Sequence, residues 1–318
     1  YTIIAVILKI KCYKLKNAII ITSDPRSGST WLLEIFAKLP HIVVNFEPLH
    51  VDKGIVPKEF NLGWKPFLPI DFSDKKIEYF FIKMLTFKIF NKWTTLDVSL
   101  RKIFKSKIVV TKFILANQLL PWIVLKLGSK LKYKPVYLLR HPIPTCISQL
   151  KVFHKISNDN LFDSISDTEP FIIPDCIFSN RFKQHITYIN SLNSRIERYL
   201  ALWCINNVNL LNHQDSHNWV AVFYENLVEN PEKVFNNLLK SMGLEIDCKI
   251  VNEINFRKAS RTDFNNDYST NTNNQLNSFL DKFSNEQLQR MQNIFDYFNL
   301  RQYSAFNAFP KIKELEFI

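Results

Sequence analysis

A strand of the buried type runs straight into a hydroxyl-rich loop and then a helix, and this junction constrains the chain more than any other feature. Ala18-Ile19-Ile20-Ile21-Thr22 is a short β-branched run of the kind covered on both faces in a parallel sheet. The polar stretch Ser23-Asp24-Pro25-Arg26-Ser27-Gly28-Ser29 follows. Then Trp31, Leu32, Ile35, Phe36 and Leu39 recur at helical spacing until Pro40. Such a loop aims backbone N–H groups and the positive end of the helix dipole at one point, which makes an anion site. Gly28 lets the backbone approach the anion closely. Ser27, Ser29 and Thr30 add hydroxyl donors, and Arg26 adds a fixed charge. Glycine is scarce, only 5 in 318 residues, so its presence in this loop carries weight.

The rest of the chain repeats the strand–helix rhythm. Ile42-Val43-Val44-Asn45-Phe46, Lys107-Ile108-Val109-Val110-Thr111-Lys112-Phe113, Pro135-Val136-Tyr137-Leu138-Leu139 and Trp219-Val220-Ala221-Val222-Phe223 read as further strands. Helices are expected over 77–90, from about Pro144, as one long amphipathic segment over 181–212, and after Asn230, with Asn230 as cap, Pro231 at the first position and an end near Gly243. This alternation predicts an α/β fold, a P-loop-like parallel sheet flanked by helices on both faces, in a single domain over 1–318. Segments 51–105 and 158–180 break the rhythm after strand ends, where ligands bind in such sheets, and are candidate acceptor walls. The Asn-rich stretch 265–277 reads as a surface loop.

Four stretches together resemble the sulfotransferases, which move a sulfuryl group from 3′-phosphoadenosine 5′-phosphosulfate (PAPS) to an acceptor. Pro25-Arg26-Ser27-Gly28-Ser29-Thr30-Trp31 is similar to the family's 5′-phosphosulfate loop. Tyr137-Leu138-Leu139-Arg140-His141-Pro142, with Ser148 eight residues after Arg140, resembles its 3′-phosphate element; an Arg at a strand end suits bidentate phosphate binding. Phe223-Tyr224-Glu225-Asn226-Leu227 resembles the stretch whose Tyr contacts adenine, which implies that role for Tyr224 and a structural one for Glu225. Phe256-Arg257-Lys258-Ala259 resembles the segment that closes over the 3′-phosphate, with Ala259 where Gly is usual. The resemblance implies PAPS and its product PAP as ligands, and no metal.

Sulfuryl transfer needs a base for the acceptor hydroxyl and positive charge near the leaving oxygen. Asn45-Phe46-Glu47-Pro48-Leu49-His50 resembles the Glu-Pro segment of Golgi-type carbohydrate sulfotransferases. That implies Glu47 as base, with His50 in reserve or as an acceptor contact. Glu47 ends the strand expected beside the phosphate loop. The Lys-Thr-His segment of the cytosolic phenol and steroid enzymes is missing. Lys112 stands there instead, and an ammonium of ordinary pKa is no base at neutral pH. Lys112 is therefore a candidate ligand for an anionic acceptor or the sulfuryl group, and a carbohydrate or other small-molecule acceptor is expected.

Composition narrows the alternatives. Lys plus Arg outnumber Asp plus Glu by 41 to 29, a net charge of +12, which raises the possibility of a basic nucleic-acid-binding protein. The lysines are scattered and no nucleic-acid motif appears, so no nucleic-acid partner is expected. A nucleotide kinase or NTPase of related fold would need the Lys-Ser/Thr pair of a P-loop, and the loop lacks it. No run reaches the ~18–20 apolar residues of a membrane span, and the run over 1–8 has no basic stretch before it and no cleavage site after it. Five widely spaced cysteines without a C-x-x-C pair read as reduced thiols and a cytoplasmic location. His213 and His217 have ligand-like spacing but lie in a polar turn, where solvation is the expected state.

Overall fold

Five parallel strands, β1 (Ala18–Ser23), β2 (Ile42–Phe46), β3 (Ile108–Ile114), β4 (Val136–Leu139) and β5 (Val220–Phe223), form one sheet in the order β2-β3-β1-β4-β5. The computed structural model describes residues 2–163, 171–257 and 276–311. β3 lies between β1 and β2, which corrects the expectation that β2 neighbours the phosphate loop. Ile21 and Phe46 both pair with Lys112, so β3 carries a lysine into the gap. The chain fills one side of β1 with β2 and β3 and the other with β4 and β5. The carboxyl end of β1 is therefore where the strand order switches direction, the place such sheets reserve for ligands.

Side chains alternate across the sheet. Ile19, Ile21, Val44, Val110, Leu138 and Val222 face one layer, built from Leu32 and Phe36 of α2 (Ser29–Phe36) and Phe235 and Leu238 of α10 (Pro231–Met242). The opposite face is covered in three patches. Ile4, Ile7 and Leu8 of α1 (Thr2–Ile10) and Ile103 of α4 (Leu100–Lys105) pack on Val43 and Val109. Phe81 and Met84 of α3 (Lys75–Leu85) and Trp122 of α5 (Leu120–Leu127) pack on Ile20 and Phe113. Cys146 and Leu150 of α6 (Pro142–His154), Leu200 and Cys204 of α8 (Arg195–Leu211), and Phe295 of the final described helix (Asn285–Tyr297) pack on Tyr137 and Phe223. Three short helices complete the described set: α7 (Ile186–Ser191), α9 (Tyr224–Glu229) and α11 (Cys248–Asn252).

Helix boundaries differ from the sequence expectation for identifiable reasons. The segment expected as one helix over 181–212 is a 3-10 turn, Ser179–His185, followed by α7 and α8. It breaks because Ser194 is extended and its hydroxyl donates to Glu197 Oε2 at 2.7 Å, starting α8 afresh, while Arg290 grips the same carboxylate at 2.8 and 2.9 Å. α3 starts earlier than residue 77 because Asp74 caps it through Lys76 N and Ile77 N, and it stops short of 90 because Phe87 is left-handed. α6 starts at Pro142 because His141 Nδ1 accepts from Ile143 N. Asn230 occupies the cap position of α10 without a side-chain capping bond, and Gly243 ends it in the left-handed conformation. The 265–277 stretch lies almost wholly outside the described residues. Among the described residues no helix is long and apolar enough to cross a membrane.

Candidate active site

The loop after β1 curls through two left-handed residues, Arg26 at φ +67° and Gly28 at φ +86°. Gly28 is needed twice over: for that conformation, and because a Cβ there would lie 2.6 Å from the Tyr224 ring. Beneath the loop is a buried polar network. Asn207 of α8 donates to Asp24 Oδ2 at 2.5 Å; its own carbonyl accepts from Tyr137 at 2.5 Å and from Asn117 at 2.9 Å, and Asn117 accepts from Thr22 at 2.8 Å. Burial pushes the Asp24 pKa up to about 6, against the opposing pull of Asn207, Lys65 and Asn206. From above, α6 holds the loop: Gln149 donates to Pro25 O at 2.9 Å and Ser148 accepts from Arg26 Nε at 2.9 Å. Arg140 donates to Arg26 O at 2.9 Å and lies 4.7 Å over the Tyr224 ring.

A cavity of about 720 Å³ opens over this loop. Arg26, Gly28, Ser29, Thr30, Trp31, Arg140 and Tyr224 line it, together with Glu47, His50, Trp64, Lys112, Phe153 and Tyr199. Its size is that of an ordinary ligand site. A smaller cavity of about 310 Å³ adjoins it and shares Arg26, Arg140, Val152 and Tyr224.

At the floor of the larger cavity Glu47 Oε1 and Lys112 Nζ form an ion pair at 2.6 Å, with side-chain exposures of 11% and 1%. Lys112 also donates to Thr30 Oγ1 at 2.8 Å and sits 4.3 Å over Phe46. Lys112 thus bridges the gap left by β3 and joins Glu47 to the phosphate loop. Glu47 is itself left-handed, φ +41°, closing a turn in which His50 N donates to its carbonyl at 3.1 Å. The His50 ring packs edge-on to Trp64 and Trp93, and its Nδ1 accepts from Asp52 N and Lys53 N, both at 3.2 Å. Burial lowers its pKa.

The remaining sequence-predicted residues divide. Ser29, Thr30 and Trp31 reach the cavity, and Trp31 Nε1 donates to Phe256 O at 3.1 Å. Ser27 is buried and lines neither cavity, because it is folded under the turn toward Asp24. Ser148 reaches the smaller cavity with its hydroxyl bonded to Arg26. Arg257 is exposed and lines neither cavity; Lys258 lies outside the described residues. Glu225 accepts from His141 N at 2.7 Å and Tyr303 OH at 3.1 Å, an internal acceptor. Of segment 51–105, Trp64 lines the larger cavity. None of the described residues of 158–180 does; Ile177 N bonds Asn61 O at 2.7 Å, so this part backs the 60–72 stretch. Asn207, Asn117 and Gln149 escaped the sequence reading. The polar pair Asn206-Asn207 inside the apolar pattern of α8 is a signal for Asn207; Asn117 and Gln149 carry none. Among the described residues no group of three His, Cys, Asp or Glu is placed to hold a metal ion.

The sulfotransferase domain model matches residues 16–309. No curated protein sequence matches the chain. Solved structures similar to it include a mouse sulfotransferase, SULT7A1, complexed with PAP: 15% identity, 93% of this chain and 89% of that one covered, TM-score 0.45. A sulfotransferase from Alicyclobacillus acidocaldarius matches at 10% identity, covering 88% and 95%, TM-score 0.38. A retinol dehydratase in complex with retinol and PAP matches at 12% identity, covering 90% and 82%, TM-score 0.42. Identities and TM-scores this low leave the family assignment to the domain match.

Proposed function

The chain belongs to the sulfotransferase family, and on that premise we propose how its cavity moves a sulfuryl group from PAPS to an acceptor hydroxyl, with Glu47 as the general base. The observation that carries this reading is the Glu47–Lys112–Thr30 chain, 2.6 and 2.8 Å long in its two links, which ties a carboxylate to the phosphate loop. The loop amides, Ser29, Thr30, Arg26 and Arg140 are the groups that would hold the donor, with Tyr224 against its base. When bound, the donor supplies an activated sulfuryl group on a phosphate.

Glu47 takes the proton of the acceptor hydroxyl as that oxygen forms its bond to sulfur. As Glu47 is neutralised, the Lys112 ammonium loses its charge partner. It is then left, with Arg26, facing the negative charge that grows on the departing phosphate oxygen. Base and electrophile are coupled through one ion pair. His50 is unsuited to be the base: its basic nitrogen already accepts two backbone N–H groups, so its other nitrogen carries the proton and donates.

The acceptor proposed is a carbohydrate, and the branch the Golgi-type one. Support comes from the Glu47-Pro48 segment, from Lys112 standing where a Lys-Thr-His base would be, and from Trp64. That indole is 40% exposed at the cavity mouth beside His50, a ring face next to a hydrogen-bond donor. The test is calorimetric titration with adenosine 3′,5′-bisphosphate. The native protein should bind it, and Arg140→Ala should weaken binding by roughly 1.5–3 kcal/mol, the scale of a hydrogen bond to a charged group. No binding by the native protein would end the reading.

A further inference from the structure

One side of α1 is left open to water. Ile4, Ile7 and Leu8 pack toward Val43 and Val109, while Ile3, Val6 and Ile10, at helical spacing on the other side, are exposed, Ile10 at 75%. Beside them α4 presents Phe104, 65% exposed. Lys11 Nζ donates to Phe104 O at 3.2 Å and ties the end of α1 to the end of α4, so the two helices offer one apolar face. An exposed apolar face rimmed by polar groups marks an interaction surface. The rim here is cationic. Residues 2–17 and 98–107 hold eight lysines and arginines and no Asp or Glu. Lys9, Lys14 and Lys105 among them are exposed. Asp97, just before the second stretch, lines a groove beside Leu33 and Glu34 of α2 instead.

We propose that this face docks on an anionic lipid bilayer. Ile3, Val6, Ile10 and Phe104 enter the boundary between headgroups and acyl chains, and Lys9, Lys14 and Lys105 meet the lipid phosphates. Two features favour the bilayer over other occupants. A nucleic acid would meet the lysines and leave four apolar side chains in water. A second copy would set the same cations against each other. The inner side of α1 is held by the sheet, so the helix lies along the bilayer and does not cross it. Lys107 N donates to His41 O at 2.8 Å and His41 Nδ1 donates to Lys105 O at 2.9 Å, which fixes the end of α4 at the amino ends of β2 and β3. The larger cavity lies over the loop at the carboxyl end of β1. The docked protein therefore turns that cavity toward the aqueous phase, and docking requires nothing of the donor site.

The experiment is co-sedimentation of the whole chain with vesicles of phosphatidylcholine and phosphatidylserine in equal parts, and with vesicles of phosphatidylcholine alone. The native protein should pellet with the first and not the second, and less as salt is added. Ile10→Ser combined with Phe104→Ser should weaken binding about 10- to 100-fold. Lys9→Glu combined with Lys105→Glu should weaken it about 30-fold or more. Lys233→Glu, on α10 across the sheet, should leave it unchanged. Thermal melting checks that each variant is folded. A second readout keeps the face intact: a polarity-sensitive dye on Cys12, exposed just beyond Ile10, should shift to the blue on the anionic vesicles. The same dye on Cys248, the other exposed cysteine, should not. No binding by the native protein, full binding by the Ser pair, or an equal loss in Lys233→Glu would overturn the proposal. So would a Cys12 shift that grows with protein concentration without vesicles, which would make the face a contact between copies of the chain.

Discussion

Two residues near the cavity floor can exchange a proton with an acceptor, and their hydrogen bonds separate their roles. Glu47 offers a carboxylate paired with Lys112, whereas His50 spends its lone pair on Asp52 N and Lys53 N. Glu47→Gln keeps the shape and removes the proton acceptor. Sulfuryl transfer should fall ~10²–10⁴-fold, the usual contribution of a positioned acid or base, while calorimetric bisphosphate affinity stays near native. His50→Ala should instead raise the acceptor KM and leave kcat within a fewfold. Near-normal turnover in Glu47→Gln would remove it as base, and loss of kcat in His50→Ala would put the histidine in its place. Most of these residues could be read from the sequence, because each sits at a strand end inside a short pattern. The Glu47–Lys112 pair could not, since it depends on which strands are neighbours.

At the scale of elements, α9, α6 and the chain after the final described helix meet at Glu225. It accepts from His141 N at the start of α6 and from Tyr303, and burial raises its pKa from 4.5 to about 7. Because the folded value is the higher one, folding favours the neutral carboxyl. The stability this group contributes is full below pH 4.5 and is lost as the pH rises through 7. His141 acts in the opposite sense: burial lowers its pKa to about 4, so its contribution is lost as the pH falls from 6.5 toward 4. A variant isolates one from the other. Glu225→Gln can still accept from His141 N and donate to Tyr303, but no longer titrates. Relative to the native protein it should gain stability between pH 4.5 and pH 8, by on the order of 3 kcal/mol, read from denaturant unfolding at the two pH values. A pH-independent difference would show that Glu225 does not titrate in this range. The sequence shows Glu225 only as one residue of a local motif; Tyr303, 78 residues away, is what makes it an internal acceptor. The break between α7 and α8 was hidden for a related reason. Apolar spacing continues through it, and the interruption comes from Ser194 and Glu197, with Arg290 holding the carboxylate from another helix.

Across the whole molecule, β1, its loop and α2 were legible because they are contiguous, and so were the α/β class and the five strands. The order of those strands was not, because the pattern of a strand says that it is covered on both faces and nothing about its neighbours. The polar network under the loop joins β1, β4, α8 and the turn after β3, so filling the cavity above it should steady much of the sheet. Adenosine 3′,5′-bisphosphate at 100 times its dissociation constant should stabilise the fold by about 2.7 kcal/mol, seen as a higher melting temperature. The same shift is expected with a chelator present, since Arg26, Arg140 and Lys112 supply the positive charge. A shift abolished by the chelator would make a metal ion part of the site.

Glu47 leaves the end of β2 and Lys112 sits on β3, its hydrogen-bonded neighbour, with Phe46 paired directly to Lys112. The 51–105 segment runs between these two adjacent strands, so the spacing of the proposed base and its ammonium partner is set first by strand pairing. Within the excursion, α3 and α4 pack on the sheet and Thr94 O accepts from Phe46 N at 3.0 Å, so the stretch around Trp64, which lines the cavity, is the part that can be exchanged while the carboxylate and the ammonium keep their spacing. On the proposed reading, the choice of acceptor is thereby varied at one stretch while the chemistry is kept at another, and a graft around Trp64 is the economical route to a new acceptor.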